Sequence, residues 1–174
     1  MKDLKKLLFF LLGIGILYKL TNNMSTGTNI SDALKNLVAQ FEGLKLEAYK
    51  DIAGIWTIGY GLTKYPNGVK VQPGDRITPQ QADTYFKQTL QKFAQGVEDS
   101  ITTQVNNNQF AALVSLAYNI GLTAFKNSTL LKLVNANPNN PAIEDEFLKW
   151  VNAGGKRVKG LVTRREMEAN LYFS

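Results

Sequence analysis

The sequence predicts an α+β domain. Three observations carry that expectation: a short amphipathic helix that runs into Gly43, an alternating stretch with turn chemistry between residues 55 and 71, and a succession of helical periodicities from residue 78 onward. Between the first helix and the alternating stretch stands the segment FEGLKLEAYKDIAGIWTIGYG, residues 41 to 61, which concentrates most of the chemistry.

Ser31 is a good N-cap, and Leu34, Leu37, Val38 and Phe41 recur at i, i+3, i+4 and i+7. This places Glu42 in the last turn of a helix that Gly43 stops. After Asp51, Ile55, Thr57 and Gly59 alternate with Trp56, Ile58 and Tyr60, and Thr63 to Gly68 supplies a turn before Val69 and Val71, which predicts a β-hairpin. On that reading the Thr57 hydroxyl looks across the hairpin at Asp51. Thr78-Pro79-Gln80-Gln81 combines an N-cap, Pro at N1 and Gln at N3, and opens a long helix through Tyr85, Phe86, Leu90, Phe93 and Val97. Phe110, Leu113, Val114 and Ala117 stripe the next helix. Leu130, Leu133 and Val134 stripe a shorter one before the Asn137 to Pro141 turn. Ile143, Phe147 and Val151 form another buried face, and the last helix carries Leu161, Arg165, Glu168 and Leu171 or Tyr172.

Composition narrows the chemistry. The chain has 174 residues, 44% hydrophobic and 20% charged, enough for one domain with its own core. It contains no Cys and no His, which removes disulfides, thiolate or histidine metal sites, and any Ser-His-Asp or Cys-His hydrolysis. Carboxylates remain as the natural acid and base. The net charge of +6 favours a polyanionic partner such as a bacterial wall or an anionic lipid surface. No nucleic-acid motif is visible, and outside Lys156 to Arg165 the cations are scattered, so nucleic acid is not expected as a partner.

The first thirty residues differ in kind from the rest. Lys2, Lys5 and Lys6 precede an apolar run from Leu7 to Tyr18, then Lys19 and a polar linker. The run would span about 18 Å as a helix, against a hydrocarbon core of about 30 Å. It has the length of a signal segment but no A-x-A-like cleavage site follows, so retention as an uncleaved signal-anchor is expected. The resulting organisation is a hydrophobic segment over residues 1–20, a linker over 21–30 and a catalytic domain over 31–174. Met24 offers an internal start for a soluble cytoplasmic form.

The candidate chemistry lies in Glu42 and Asp51. A carboxyl at a helix C-terminus, flanked by Phe41 and Leu44, sits where the macrodipole and desolvation favour the protonated acid. Asp51 follows Lys50 in a turn, where it stays ionised. Two carboxylates whose environments push them apart form the acid/base arrangement of glycoside hydrolysis.

The spacing of Glu42, eight residues, Asp51, five residues and Thr57 resembles the catalytic motif of the phage-type lysozymes, glycoside hydrolase family 24. The frame agrees in Glu42-Gly43, Ala48-Tyr49-Lys50-Asp51 and Thr57-Ile58-Gly59-Tyr60-Gly61. Further agreement lies at Ala111-Ala112-Leu113, Tyr118-Asn119-Ile120-Gly121, Phe125, Asn127-Ser128-Thr129-Leu130 and Gly160 to Glu168. One departure is Leu62, where many members carry His, so an ion pair found in some of them cannot form here. The resemblance implies a lysozyme-like fold: a small β-hairpin lobe and a larger helical lobe joined by the long helix, with a cleft between them. It implies cleavage of the β-1,4 bond between N-acetylmuramic acid and N-acetylglucosamine in peptidoglycan, with inversion. Glu42 would be the acid, and Asp51 and Thr57 would position and activate water. It also implies substrate contacts at Asn119 and Phe125, Arg165 opposite Glu42 as the acid-orienting residue, no cofactor and no metal, and a monomer. With the signal-anchor, residues 4–20 would hold the chain at the host inner membrane facing the periplasm until release. A lytic transglycosylase, or a non-catalytic wall-binding protein on the same scaffold, are the alternatives. The Asp51 and Thr57 pair counts against the first, and the intact triad against the second.

Overall fold

A computed structural model describes residues 32–51 and 54–174. The expected cap at Ser31, the hydrophobic segment and the linker lie outside the described residues. Among the described residues the elements run α1 (Asp32–Glu42), β1 (Lys45–Lys50), β2 (Trp56–Gly59), α2 (Pro79–Glu98), α3 (Asn107–Ile120), α4 (Leu122–Lys126), α5 (Thr129–Ala136), α6 (Ala142–Leu148), β3 (Asn152–Ala153), β4 (Lys156–Arg157) and α7 (Lys159–Tyr172). The fold is α+β with a helical majority, as the sequence predicts.

α1 ends where expected. Gly43 adopts φ 66° and its N–H donates to Ala39 O at 3.1 Å, a left-handed cap that a side chain would strain. The strand pairing differs from expectation. β2 pairs antiparallel with the upstream β1, Tyr49 opposite Thr57 and Lys50 opposite Trp56. The downstream partner expected at Val69 to Val71 forms a separate small hairpin with a single bridge, Lys64 to Lys70, closed by Tyr65 N–H to Val69 O at 2.8 Å and Val71 N–H to Thr63 O at 3.1 Å. The upstream segment carries its own period-2 pattern, half-buried Leu46 and Ala48 alternating with exposed Lys45 and Glu47. Nor does β2 alternate in burial: Thr57 and Ile58 are both buried, because both faces of this short strand are covered. Ile58, Leu62 and Val71 form a small core with Trp56, Tyr65, Ile77 and Tyr85 against it. Leu62 thus serves as packing for the sheet lobe.

α2 joins the two parts. The Thr78 hydroxyl accepts from Gln81 N–H at 3.2 Å while Gln81 Oε1 accepts from Thr78 N–H at 2.8 Å, and Pro79 fills the first turn. Its 20 residues span about 30 Å. Tyr85 faces the small core, whereas Phe86, Leu90, Ala94 and Val97 enter the main one. That main core is built around α3, whose residues Ala112 to Ala117 are all buried. Phe147, Ile143, Leu130, Val134 and Tyr172 close around it, together with Leu34 and Val38 of α1. α7 shows little apolar periodicity because Arg164, Arg165 and Glu168 occupy its buried face beside Ala169 and Tyr172.

Tyr172 gives this packing a pH dependence. Its hydroxyl donates to Pro138 O at 2.9 Å, and burial pushes its pKa from 10.0 up to about 12. The folded value lies above the unfolded one. The contribution is therefore complete below pH 10 and lost as pH rises through about 12. Tyr172→Phe should flatten the decline of Tm across that alkaline window relative to the parent. Parallel Tm curves for the two proteins would remove Tyr172 from the account.

Candidate active site

Five segments converge on one cleft of about 530 Å³: the end of α1, the turn after β1, the segment after β2, α2, and the α3 to α4 junction. Glu42 and Asp51 both line it, with Gly61 to Lys64 from the sheet lobe, Thr89 and Phe93 from α2, and Tyr118 to Gly121 at the end of α3.

Glu42 is held from far away in sequence. Its Oε1 accepts from Arg164 Nη1 at 2.6 Å, and the Arg164 guanidinium also lies 4.9 Å from the Phe41 ring centroid. Each nitrogen of Arg164 thus has an acceptor: Nε also donates to Glu168 Oε1 at 3.0 Å and Nη2 to Ser115 O at 3.1 Å. Glu168 Oε1 also accepts from the Ser115 hydroxyl at 2.6 Å and from Arg165 Nη2 at 3.3 Å. Arg165 Nη2 donates further to Asn119 Oδ1 at 3.0 Å, and its Nε lies 3.1 Å from Glu168 Oε2 as an ion pair without hydrogen-bond alignment. Burial pushes the Glu168 carboxyl up against the opposing pull of Arg165, Arg164 and Ser115. It also pushes Arg165 down to about 10, which leaves that guanidinium charged at neutral pH.

The other oxygen of Glu42 faces Gly61. A Cβ at that position would stand 2.8 Å from Glu42 Oε2, and Gly61 has φ 80°. Backbone therefore comes as close to the carboxylate as it can, for which only glycine serves. Tyr118 donates its hydroxyl to Tyr60 O at 2.7 Å and so ties α3 to the end of the sheet beside the cleft. Burial, with Glu42 adding to it, pushes the Tyr118 phenol well above its usual range, so it stays a donor.

Asp51 is held locally. Its Oδ1 accepts from Ile55 N–H at 2.9 Å, its own N–H donates to Ile55 O at 3.0 Å, and Gly54 N–H donates to Asp51 O at 2.9 Å. The buried Thr57 hydroxyl donates to the same Ile55 O at 3.1 Å. The expected link between Thr57 and Asp51 thus runs through the Ile55 peptide. Tyr49, opposite Thr57, is pushed up first by burial and then by Glu42 and Asp51, so both carboxylates act on one phenol.

Two expectations are corrected. The residue opposite Glu42 is Arg164 rather than Arg165, because successive helical residues differ by about 100°, and it is Arg164 that α7 turns toward α1. Arg165 instead pairs with Glu168 and Asn119. Phe125 has no exposed surface and belongs to the main core, so its ring packs the helical lobe rather than meeting a ligand. Asn119 does line the cleft. Its orientation is determined, since guanidinium only donates and must face Oδ1, leaving the Nδ2 hydrogens for the cleft. Phe93, Thr89, Tyr118 and Lys64 were not singled out as site residues by the sequence. Phe93 carried a helical-period signal that reads equally as core.

A family model described as phage lysozyme matches residues 39–168. The chain is 43% identical over 148 residues to an endolysin of Bacillus phage B103, covering 84% of this chain and 54% of that one, so it spans about half the length of that relative. It is 35% identical over 130 residues to a SAR-endolysin of Enterobacteria phage P21, covering 75% of this chain and 76% of that one. Among solved structures, the endolysin from Escherichia coli O157:H7 phage FAHEc1 superposes with a TM-score of 0.71 at 41% identity, covering 82% of this chain and 90% of the other.

The Gly61 contact is testable by structure. Gly61→Ala places a methyl group on Glu42 Oε2 and a side chain in left-handed backbone, which costs about 1–2 kcal/mol from the conformation alone. A crystal structure of the variant should show the Glu42 carboxylate displaced, with a lowered Tm. An unmoved carboxylate would mean that Gly61 does not limit it.

Proposed function

The chain belongs to the phage lysozyme family, and from that premise we propose that it is an endolysin hydrolysing the β-1,4 bond between N-acetylmuramic acid and N-acetylglucosamine of peptidoglycan. The observation that carries the reading is that Glu42 and Asp51 face one cleft while differing in how each is held. Glu42 gives its proton to the leaving oxygen from Oε2, the oxygen not occupied by Arg164. Asp51, anchored through one oxygen by Ile55, uses its carboxylate to draw a proton from water attacking the opposite face of the sugar. Thr57 holds the Ile55 carbonyl and so keeps Asp51 in place. Water attacking opposite the leaving group gives inversion. Arg164 is the acid-orienting residue of this mechanism, and Asn119 offers amide donors to a sugar oxygen.

The chain has no His or Cys to stand in as proton donor, and Asp51, the other carboxylate of the cleft, is assigned to the water. Glu42→Gln should therefore abolish the release of new reducing ends from purified peptidoglycan while the protein stays folded. The parent should give free reducing ends of inverted configuration by NMR. Anhydro-sugar ends from the parent would indicate transglycosylation, and an active Glu42→Gln protein would overturn the assignment of the acid.

We further propose that residues 4–20 act as a signal-anchor, holding the protein at the inner membrane with the enzyme domain in the periplasm until release. The similarity to a SAR-endolysin supports this, as do the short apolar run and its lysine-rich start. Among the described residues no helix is long and apolar enough to cross a membrane, so the reading rests on residues 1–20. Full-length protein should fractionate with the inner membrane and become soluble when the membrane potential collapses, with an intact N-terminus by mass spectrometry in both pools. A mature chain beginning after residue 20 would mean ordinary cleavage, and one beginning at Met24 would mean internal initiation.

A further inference from the structure

The rim of the cleft carries an arrangement that the mechanism above does not use. Lys64 and Lys70 stand directly opposite each other as the bridge of the small hairpin that follows β2. Partners in an antiparallel bridge project to the same face, and like charges there are unfavourable. Both side chains are exposed, and among the described residues neither ammonium has a carboxylate within ion-pair distance. Lys64 itself lines the cleft.

The hairpin is braced against relieving the repulsion by fraying. Tyr65 N–H donates to Val69 O at 2.8 Å and Val71 N–H to Thr63 O at 3.1 Å. The Tyr65 hydroxyl donates to Asp75 Oδ2 at 2.9 Å, and its ring packs edge-on against Tyr85 of α2. Lys92 of α2 reaches across to donate to Pro66 O at 3.1 Å. A braced hairpin that sets two cations on one face, one of them lining the cleft, is a preorganised site for an anion.

We propose that Lys64 and Lys70 bind carboxylates of the peptide stems that branch from the glycan strand, so that the enzyme reads the peptide as well as the sugar. This inference rests on peptidoglycan being the substrate. In a strand that bears stem peptides the lactyl carboxyl is consumed in the amide to the peptide, so the free carboxylates are those of the peptide itself. They sit on a flexible arm, which lets them reach a rim site while the scissile bond sits between Glu42 and Asp51. The same pair would also attract phosphate of a wall polymer, so the test begins from strands freed of such polymers.

The experiment measures binding in full-length protein carrying Glu42→Gln, so that no substrate is consumed. Calorimetry compares glycan strands bearing stem peptides with the same strands stripped by an amidase, whose freed lactyl carboxylates are capped as methylamides so that the two ligands differ only in the peptide and its carboxylates. Lys70→Gln alone, and Lys64→Gln with Lys70→Gln, are added to that background. For the double variant the Kd for peptide-bearing strands should rise about fivefold more than the Kd for stripped strands, the scale of a pair of exposed charge contacts. The difference should shrink as salt shortens the Debye length below about 10 Å. Equal changes on both ligands, no change on either, or equal binding of the two ligands by the parent background would each overturn the proposal. Hydrolysis by the parent is scored separately through its reducing ends, so a failure of the muramidase reading is distinguishable from a failure of the lysine site.

Discussion

The rest of the structure depends on the buried chain of alternating charge Glu42, Arg164, Glu168, Arg165, which ends on Asn119. Removing these groups from water costs several kcal/mol per ion, and the cost is offset only by close pairing and by hydrogen bonds to the remaining sites. Arg164 meets that requirement fully, with Glu42, Glu168 and the Ser115 carbonyl sharing its guanidinium. Loss of Glu168, the fully buried carboxylate between the two arginines, strands buried charge at a cost of about 3–5 kcal/mol. The chain therefore ties α7, α3 and the end of α1 into one relative placement, and that placement sets where Glu42 points.

The two carboxylates of the cleft are held by different kinds of constraint. Asp51 is positioned by bonds that close within four residues, on a turn whose geometry follows from the β1 to β2 pairing. Glu42 depends on a partner 122 residues away. A local turn can hold Asp51 while the lobe above it shifts, whereas Glu42 belongs to the helical lobe through Arg164 and to the sheet lobe through its contact with Gly61. The distance between these two carboxylates is thus decided by how the lobes sit on each other. Tyr118, bonded to Tyr60 O across that junction, and α2, which packs into both cores, fix that relation.

The sheet lobe could not stand alone. A two-stranded hairpin is marginal in water, and here β1 and β2 are supplemented by a second irregular hairpin and by Ile58, Leu62 and Val71 packed on Tyr85 of α2. The capping box at Thr78 stabilises the start of that helix where the sheet lobe rests. Leu62 adds apolar contact where a charged residue would need a partner.

Much of this was legible from the sequence. The spacing of Glu42, Asp51 and Thr57, the stop at Gly43, the capping box at Thr78 and the stripes of the later helices are written in contiguous residues, because caps, turns and periodicity are local physics. What the sequence alone did not determine was pairing between distant segments. β2 had an apparent partner downstream and another upstream, where residues 45–48 also alternate, so local pattern allowed both and the tertiary structure chose the upstream one. Arg164 and Arg165 are adjacent and chemically identical, yet a rotation of about 100° on α7 sends one to Glu42 and the other to Glu168 and Asn119. Phe125 follows shortly after Asn119, but α4 turns its ring inward while Asn119 remains at the cleft. Local signals determined which groups this protein possesses, and the tertiary structure decided which of them meet, because a buried charge is stable only where its counterion arrives from elsewhere in the chain.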